Sequence, residues 1–182
     1  MQGKLVKIEK WFTLQSGKFD DFELARQLEL VWDVIARQYP NIHINVHFDI
    51  KEAKVIFQAK FYRSFADVLT IIYNNMFNHG STQSFDNVVV TACRIGGELR
   101  LHFENLTTKP DILVNEDIQR RLASNLYQQE HGSGLAKVRN IAISEFGCND
   151  GDFSAIAKDG RCHVDLILQL EKLIKNYEDT IS

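Results

Sequence analysis

Asn74-Asn75-Met76-Phe77-Asn78-His79-Gly80 is the stretch on which the fold turns. Leu69, Ile72, Tyr73, Met76 and Phe77 recur at the spacing of a buried helical stripe, so a helix is expected over about residues 64–79, stopped by Gly80-Ser81. With Met76 and Phe77 turned inward, Asn74, Asn75 and Asn78 project together from the other side. Clustered uncharged amides offer carbonyl oxygens to a hard cation and N–H donors to phosphate oxygens. A plain polar helix face followed by a glycine stop would carry the same letters.

Upstream, Leu24, Leu28, Val31, Ile35 and Tyr39 mark a second amphipathic helix over 22–39, preceded by Asp20-Asp21 and broken by Pro40-Asn41. Residues 42–50 alternate (Ile42, Ile44, Val46, Phe48), as do Val55, Phe57, Ala59 and Phe61, which is the strand period. Downstream, strands over 88–94 and 99–103 flank the turn signal Gly96-Gly97-Glu98. Residues 105–132 read as polar and irregular, with room for a helix near 115–127. A helix over 133–146 follows, with Leu135, Val138, Ile141 and Ala142 inward. Strands over 153–157 and 162–170 then flank Asp159-Gly160, a type I′ pair. Adjacent strands joined by hairpins predict an α+β, two-layer α/β sandwich: a mixed, mostly antiparallel sheet with helices on one face.

Two further groups carry chemistry. In His131-Gly132-Ser133-Gly134-Leu135, alternate glycines just before a helix let backbone approach a phosphate closely, and the helix start offers free N–H groups and a positive dipole end. Lys137 and Arg139 add positive charge nearby. Phe103-Glu104-Asn105-Leu106 ends a strand and places an amide there.

Taken in order, these motifs resemble the ATP-binding domains of the GHKL (Bergerat-fold, histidine-kinase-like) family. Asn74 to Gly80 is similar to its N box in the form E-N-A-x-K-H-G, with Asn74 for the Glu and Asn78 for the Lys. His131 to Leu135 is similar to the second glycine box, H-G-x-G-L. Asn105 stands where many relatives have D-x-G-x-G, whose Asp binds the adenine amino group; an Asn oxygen can accept the same hydrogen bond, but the glycines are missing. The resemblance runs from about Phe22 to Leu170. It implies binding of ATP with Mg2+ at Asn74, Asn75, Asn78, His79, Asn105, Gly132, Ser133, Gly134 and Leu135, with Asn75 as the metal ligand, and a lid over 106–130.

The resemblance also bears on reaction type. GHKL ATPases carry a water-activating Glu one helical turn before the metal-binding Asn; Ile71 stands there, which disfavours Glu-catalysed hydrolysis. A histidine kinase needs no such base, because an acceptor His is the nucleophile, but none of the six histidines follows an acidic residue on an exposed helix. The expectation is therefore the catalytic half of a larger signalling or ATP-switched protein, its phosphoacceptor on an upstream domain or a partner protein. The alternatives are a degenerate GHKL fold serving as an interaction module and a GHKL ATPase with a relocated base.

Bulk properties fit this frame. The 182 residues suit one domain with appendages: 1–21 as an N-terminal helical segment (Leu5, Ile8, Trp11, Phe12), 22–170 as the ATP-binding domain, and 171–182 as a surface helix or frayed helical tail. A helix starting so early reads either as the remnant of an upstream region or as a simple N-terminal helix. A net charge of −3 without a basic run gives no reason to expect nucleic acid. No apolar run is long enough to span a bilayer, so no membrane contact is expected. Cys93, Cys148 and Cys162 are odd in number and widely spaced, which argues for reduced thiols in the cytoplasm rather than disulfides or a zinc site. His43 and His47 share a strand face without a third ligand and read as solvent-facing.

Overall fold

The computed structural model describes residues 20–42, 44–50, 55–79, 86–123 and 134–174. The N-terminal segment, His43, Gly80, His131, Gly132, Ser133 and the end of the tail lie outside the described residues.

Hydrophobic periodicity builds the two layers. Leu24, Leu28, Val31 and Ile35 bury one face of α1 (Leu24–Ala36). Helix α2 (Tyr62–His79) buries Phe65, Leu69, Ile72, Tyr73, Met76 and Phe77. These faces meet the inner side of a five-stranded sheet made of β2 (Asn45–Ile50), β4 (Asp86–Ile95), β5 (Glu98–Leu106), β6 (Phe153–Lys158) and β7 (Arg161–Gln169), in the order β2-β4-β5-β7-β6. Among the described strands of this sheet only the β2–β4 pair is parallel, and α2 lies in its crossover. The expected α+β sandwich with a mixed, mostly antiparallel sheet is the fold found.

Strand alternation sorts the side chains. On the inner face, Leu101, Leu166 and Phe153 form one cross-strand row and Phe103, Val164 and Ala155 the next, all buried. A third inner row, Asn105, Cys162 and Ala157, lies at the Asn105 end of β5. The outer face presents His102, Asp165 and Ser154 in one row and Glu104, His163 and Ile156 in the next. Both hairpin turns form as read: Gly96 takes φ 60°, and Asp159 and Gly160 take φ 53° and 74°, the left-handed pair a type I′ turn requires.

Three expectations are corrected. The alternation from Val55 to Phe61 gives only a two-residue strand, β3 (Ile56–Phe57), paired with β1 (Phe22–Glu23). After it the Asp21 carboxylate accepts the Ala59 N–H at 2.9 Å and the chain winds into a 3-10 turn that enters α2. The polar segment after Asn105 is less irregular than expected. Helix α3 (Asp111–Ala123) starts four residues earlier than anticipated, with Ile118 buried. The start of the tail is core rather than surface: α5 (Leu170–Leu173) buries Leu173, and Ile174 bridges to Phe57. The remaining helix, α4 (Gly134–Ser144), buries Leu135, Val138 and Ala142 as read.

Candidate nucleotide site

A cavity of about 230 Å³ opens between α2, α3 and the Asn105 end of the sheet. Its wall is Ile72, Asn75, Met76, Asn78 and His79 of α2; its floor is Asn105, Cys162 and Val164; Leu135 closes one end. The other side is Thr107 to Lys109 and α3.

The amides of α2 do not act as one cluster. Successive helical residues point about 100° apart, from about 3.6 residues per turn. Asn75 therefore faces the cavity while Asn74 turns toward the end of α1. There Tyr39 stacks on Phe77 at 4.8 Å, and its hydroxyl proton is shared between the Asn74 and Asn78 Oδ1 atoms at 3.1 and 3.2 Å. Asn78 stays at the rim as a lining residue, and Asn74 is not among the cavity's residues.

Asn75 meets the glycine segment directly. A Cβ added to Gly134 would lie 3.1 Å from Ile71 Cγ2 and 3.4 and 3.6 Å from the Asn75 amide atoms. The first residue of α4 thus sits against α2 at a distance that any side chain would disturb. Ile71 is the packing partner that fixes this approach. Gly132 and Ser133 lie outside the described residues, so of the glycine box the structure places Gly134 and Leu135, the latter buried against the cavity. Arg139 is aimed elsewhere: its Nε donates to Asp150 at 2.8 Å.

Asn105 is one of two buried polar residues among those described, and its Nδ2 donates to the Leu106 carbonyl at 3.1 Å. A buried amide at the end of an otherwise apolar row is costly unless hydrogen-bonded, which makes Asn105 the natural polar anchor of the cavity floor. Beside it, burial pushes the Cys162 thiol up to about 11, so the sulfur stays protonated and behaves as an apolar surface.

The rim is charged. Burial, reinforced by the Arg121 guanidinium, holds the His79 imidazole below its ordinary value; the Asp117 carboxylate pulls the other way, and Lys109 adds to the depression. Burial pushes the Asp117 carboxyl up, but hydrogen bonds from Arg120 and Arg121 outweigh it and keep it below the usual carboxylate range. Lys109 and Arg121 bring positive charge to the opening.

Helix α3 is tied to the sheet edge. Asn115 Nδ2 donates to the Ala157 carbonyl at 2.9 Å, and the Ala157 N–H donates to Asn115 Oδ1 at 2.7 Å. The Gly160 N–H donates to the Asp111 carboxylate at 3.1 Å. The front of the anticipated lid, up to Ala123, is a docked element. Thr107, Lys109, Asp117 and Arg121 join the cavity through it and were missed in the sequence, although Pro110-Asp111 is an ordinary helix start.

No known protein-family profile matches the chain. The curated histidine-protein kinase DtcA of the Detocs system, from Enterobacter cloacae (strain JD6301), is 23% identical over 150 residues, which is 79% of this chain and 14% of that protein. The catalytic domain of histidine kinase ThkA superposes with a TM-score of 0.67 at 14% identity, over 86% of this chain and 99% of that one. The histidine kinase domain of the blue-light activated kinase of Erythrobacter litoralis gives 0.62 at 16% identity, over 85% and 69%. Full-length ShkA, solved in complex with AMPPNP, gives 0.60 at 11% identity, over 84% and 31%.

This chain has the GHKL-type fold of histidine kinase catalytic domains. Within that fold, the cavity lies between the asparagine-bearing helix α2, the strand ending in Asn105 and the start of α4. The described residues of the three motifs, far apart in the chain, meet at one cavity: Asn75, Asn105 and Leu135 line it, and Gly134 packs against Asn75. Among the described residues no helix is long and apolar enough to cross a membrane.

Proposed function

We propose that this chain is the ATP/Mg2+-binding catalytic domain of a larger histidine-kinase-like signalling or ATP-switched protein of the cytoplasm. The observation that carries the reading is the close approach of Gly134 to Asn75 beside the cavity that Asn105 floors. Gly134 opens α4 packed tightly against α2, and the free N–H groups of a helix start held there suit phosphate oxygens. The apolar walls from Ile72, Met76, Leu135 and Val164 suit an adenine ring, with the Asn105 amide oxygen accepting its amino group. Phosphates would run toward residues 132–134, Asn78 and His79 would line the path, and Lys109 and Arg121 favour an anionic ligand. Asn75 would hold Mg2+ through its amide oxygen, and the ion, when bound, neutralises and orients phosphate oxygens.

Ile71 packs against Gly134 where hydrolysing relatives would carry a Glu, so the residues present suit presentation of ATP rather than activation of water. The phosphoacceptor is then supplied by an upstream domain or a partner protein. We assign the chain no nucleic-acid or membrane partner. Calorimetric titration with ATP and ADP, with and without Mg2+, tests the reading. Saturable binding of both, tighter for ATP when Mg2+ is present, is expected; no heat and no thermal shift at millimolar nucleotide would overturn it in favour of an interaction module.

A further inference from the structure

We propose that the outer face of the sheet carries a second ligand site, a surface site for a Zn2+-class divalent cation held by His102, Glu104 and His163. It lies on the side of the sheet away from the helices and the nucleotide cavity, and it is independent of the nucleotide reading. One ligand atom from each of the three residues falls within 4.8 Å of the others. The strand register brings this about: Glu104 and His163 are directly opposite on β5 and β7, and His102 is two residues from Glu104 on the same face.

The spacing of the ligand atoms is what points to a metal. His102 Nε2 lies 3.4 Å and His163 Nδ1 3.7 Å from the same oxygen, Glu104 Oε2. Both are longer than an N–H···O bond ordinarily runs, about 2.7–3.2 Å. A tetrahedral ion with bonds of about 2.0–2.1 Å sets its ligand atoms about 3.3–3.4 Å apart. Two imidazoles and a carboxylate oxygen clustered near that separation form a His2Glu set that a bound ion would draw together.

The surroundings orient the set. His102 Nδ1 sits 2.7 Å from Asp165 Oδ1, a carboxylate that would accept the Nδ1 hydrogen bond and leave Nε2 to the ion when one is bound. A carboxylate behind a metal-binding imidazole fixes its tautomer and raises its basicity. Ser154 Oγ donates to the other Asp165 oxygen at 3.3 Å. Arg161 pairs with Glu104 Oε1, which holds the carboxylate so that only Oε2 faces the imidazoles. The three residues are partly exposed, with side chains 31%, 21% and 23% accessible for His102, Glu104 and His163, so a cation can enter and a water can take the fourth position. Imidazole nitrogen and a single carboxylate oxygen suit Zn2+ or Co2+ rather than Mg2+ or Ca2+, which take mostly oxygen.

The test is titration of the whole chain with Zn2+ alone against a chromophoric chelator, and with Co2+ followed by its visible d–d absorption. One ion per chain and a tetrahedral Co2+ spectrum are expected. His102→Ala, His163→Ala and Glu104→Gln should each lower affinity at least tenfold with the circular dichroism unchanged. Asp165→Asn, which touches no metal, should lower it about ten- to a hundredfold. His47→Ala should leave it alone, and so should Asn75→Ala. The inference is overturned by an absence of stoichiometric Zn2+ binding, or by binding that persists undiminished in both the Glu104→Gln and the His163→Ala proteins. Should one His variant not fold, Glu104→Gln, nearly the same size, decides the question.

Discussion

At the scale of residues, Asn74 and Asn75 are adjacent in sequence but occupy different environments. Asn75 lines the cavity and lies against Gly134, whereas Asn74 is engaged by Tyr39. Asn75→Ala should therefore weaken Mg-ATP binding by about ten- to a hundredfold, since a contact to a charged group contributes roughly 1.5–3 kcal/mol. Asn74→Ala should change affinity by less than about threefold, its lost Tyr39 contact being one ordinary hydrogen bond of about 0.5–1.5 kcal/mol felt in stability instead. Paired titrations and urea melts separate the two effects; equal losses of affinity would mean that the helix face has been misread. Gly134 yields a second expectation. Gly134→Ala improves helix propensity but forces Ile71 or Asn75 to shift, because the new methyl would stand 3.1 Å from Ile71 Cγ2. Nucleotide affinity should fall while the melting temperature holds. Adding Ile71→Ala, which removes the crowding methyl, should restore part of the affinity. A double-mutant cycle measures that coupling, and strict additivity would show that crowding at Ile71 is not what disturbs the site.

At the scale of elements, α3 is held to β6 by the side chain of Asn115, whose amide pairs with both backbone groups of Ala157. Asn115→Ala should cost about 1–3 kcal/mol in urea unfolding, from two hydrogen bonds at about 0.5–1.5 kcal/mol each, and should speed hydrogen exchange across α3 more than across α2. Protection in α3 that stays at its starting value would show that Ile118 and its apolar neighbours hold the helix by themselves. This contact also marks where the sequence was hard to read. The long helices and both hairpins were legible because their periodicities and turn residues act locally: the α2 stripe and Asp159-Gly160 need no distant partner to be recognised. The order of α3 was not legible, since it depends on an Asn pairing with backbone 42 residues away. The strand alternation at Val55 misled for a related reason. Asp21, Leu173 and Ile174 capture that segment from distant parts of the chain, and Ala59 and Phe61 wind into a 3-10 turn. Of the cavity's lining, Asn75, Asn105 and Leu135 could be named from motif order. That Asn74 lies off it could not, because that depends on where Tyr39 comes to rest.

At the scale of the whole molecule, the cavity joins elements from both layers: α2, α3 and α4 from the helical layer, β5 and β7 from the sheet. A ligand bound there contacts the folded state alone, so its binding free energy adds to global stability. At a nucleotide concentration a hundred times Kd the gain is about 2.7 kcal/mol. For a chain of this length that amounts to a rise of roughly 5–10 °C in melting temperature. The same binding should not lead to turnover. Ile71, one helical turn before Asn75, offers no base to activate water. Of the histidines among the described residues, His47 is on β2, His79 ends α2 at the cavity, and His102 and His163 lie on the sheet's outer face, none on an exposed helix after an acidic residue. Incubation with γ-labelled ATP and Mg2+ should therefore give phosphate release close to the uncatalysed background and no acid-labile label on the chain, while the melting temperature rises as above. Stable phosphohistidine on this chain would refute the assignment of the acceptor to another domain or partner. Rapid phosphate release without it would require a water-activating base outside Ile71. An absent thermal shift with no turnover would instead remove the nucleotide site itself, so one labelled incubation and one melt distinguish all three.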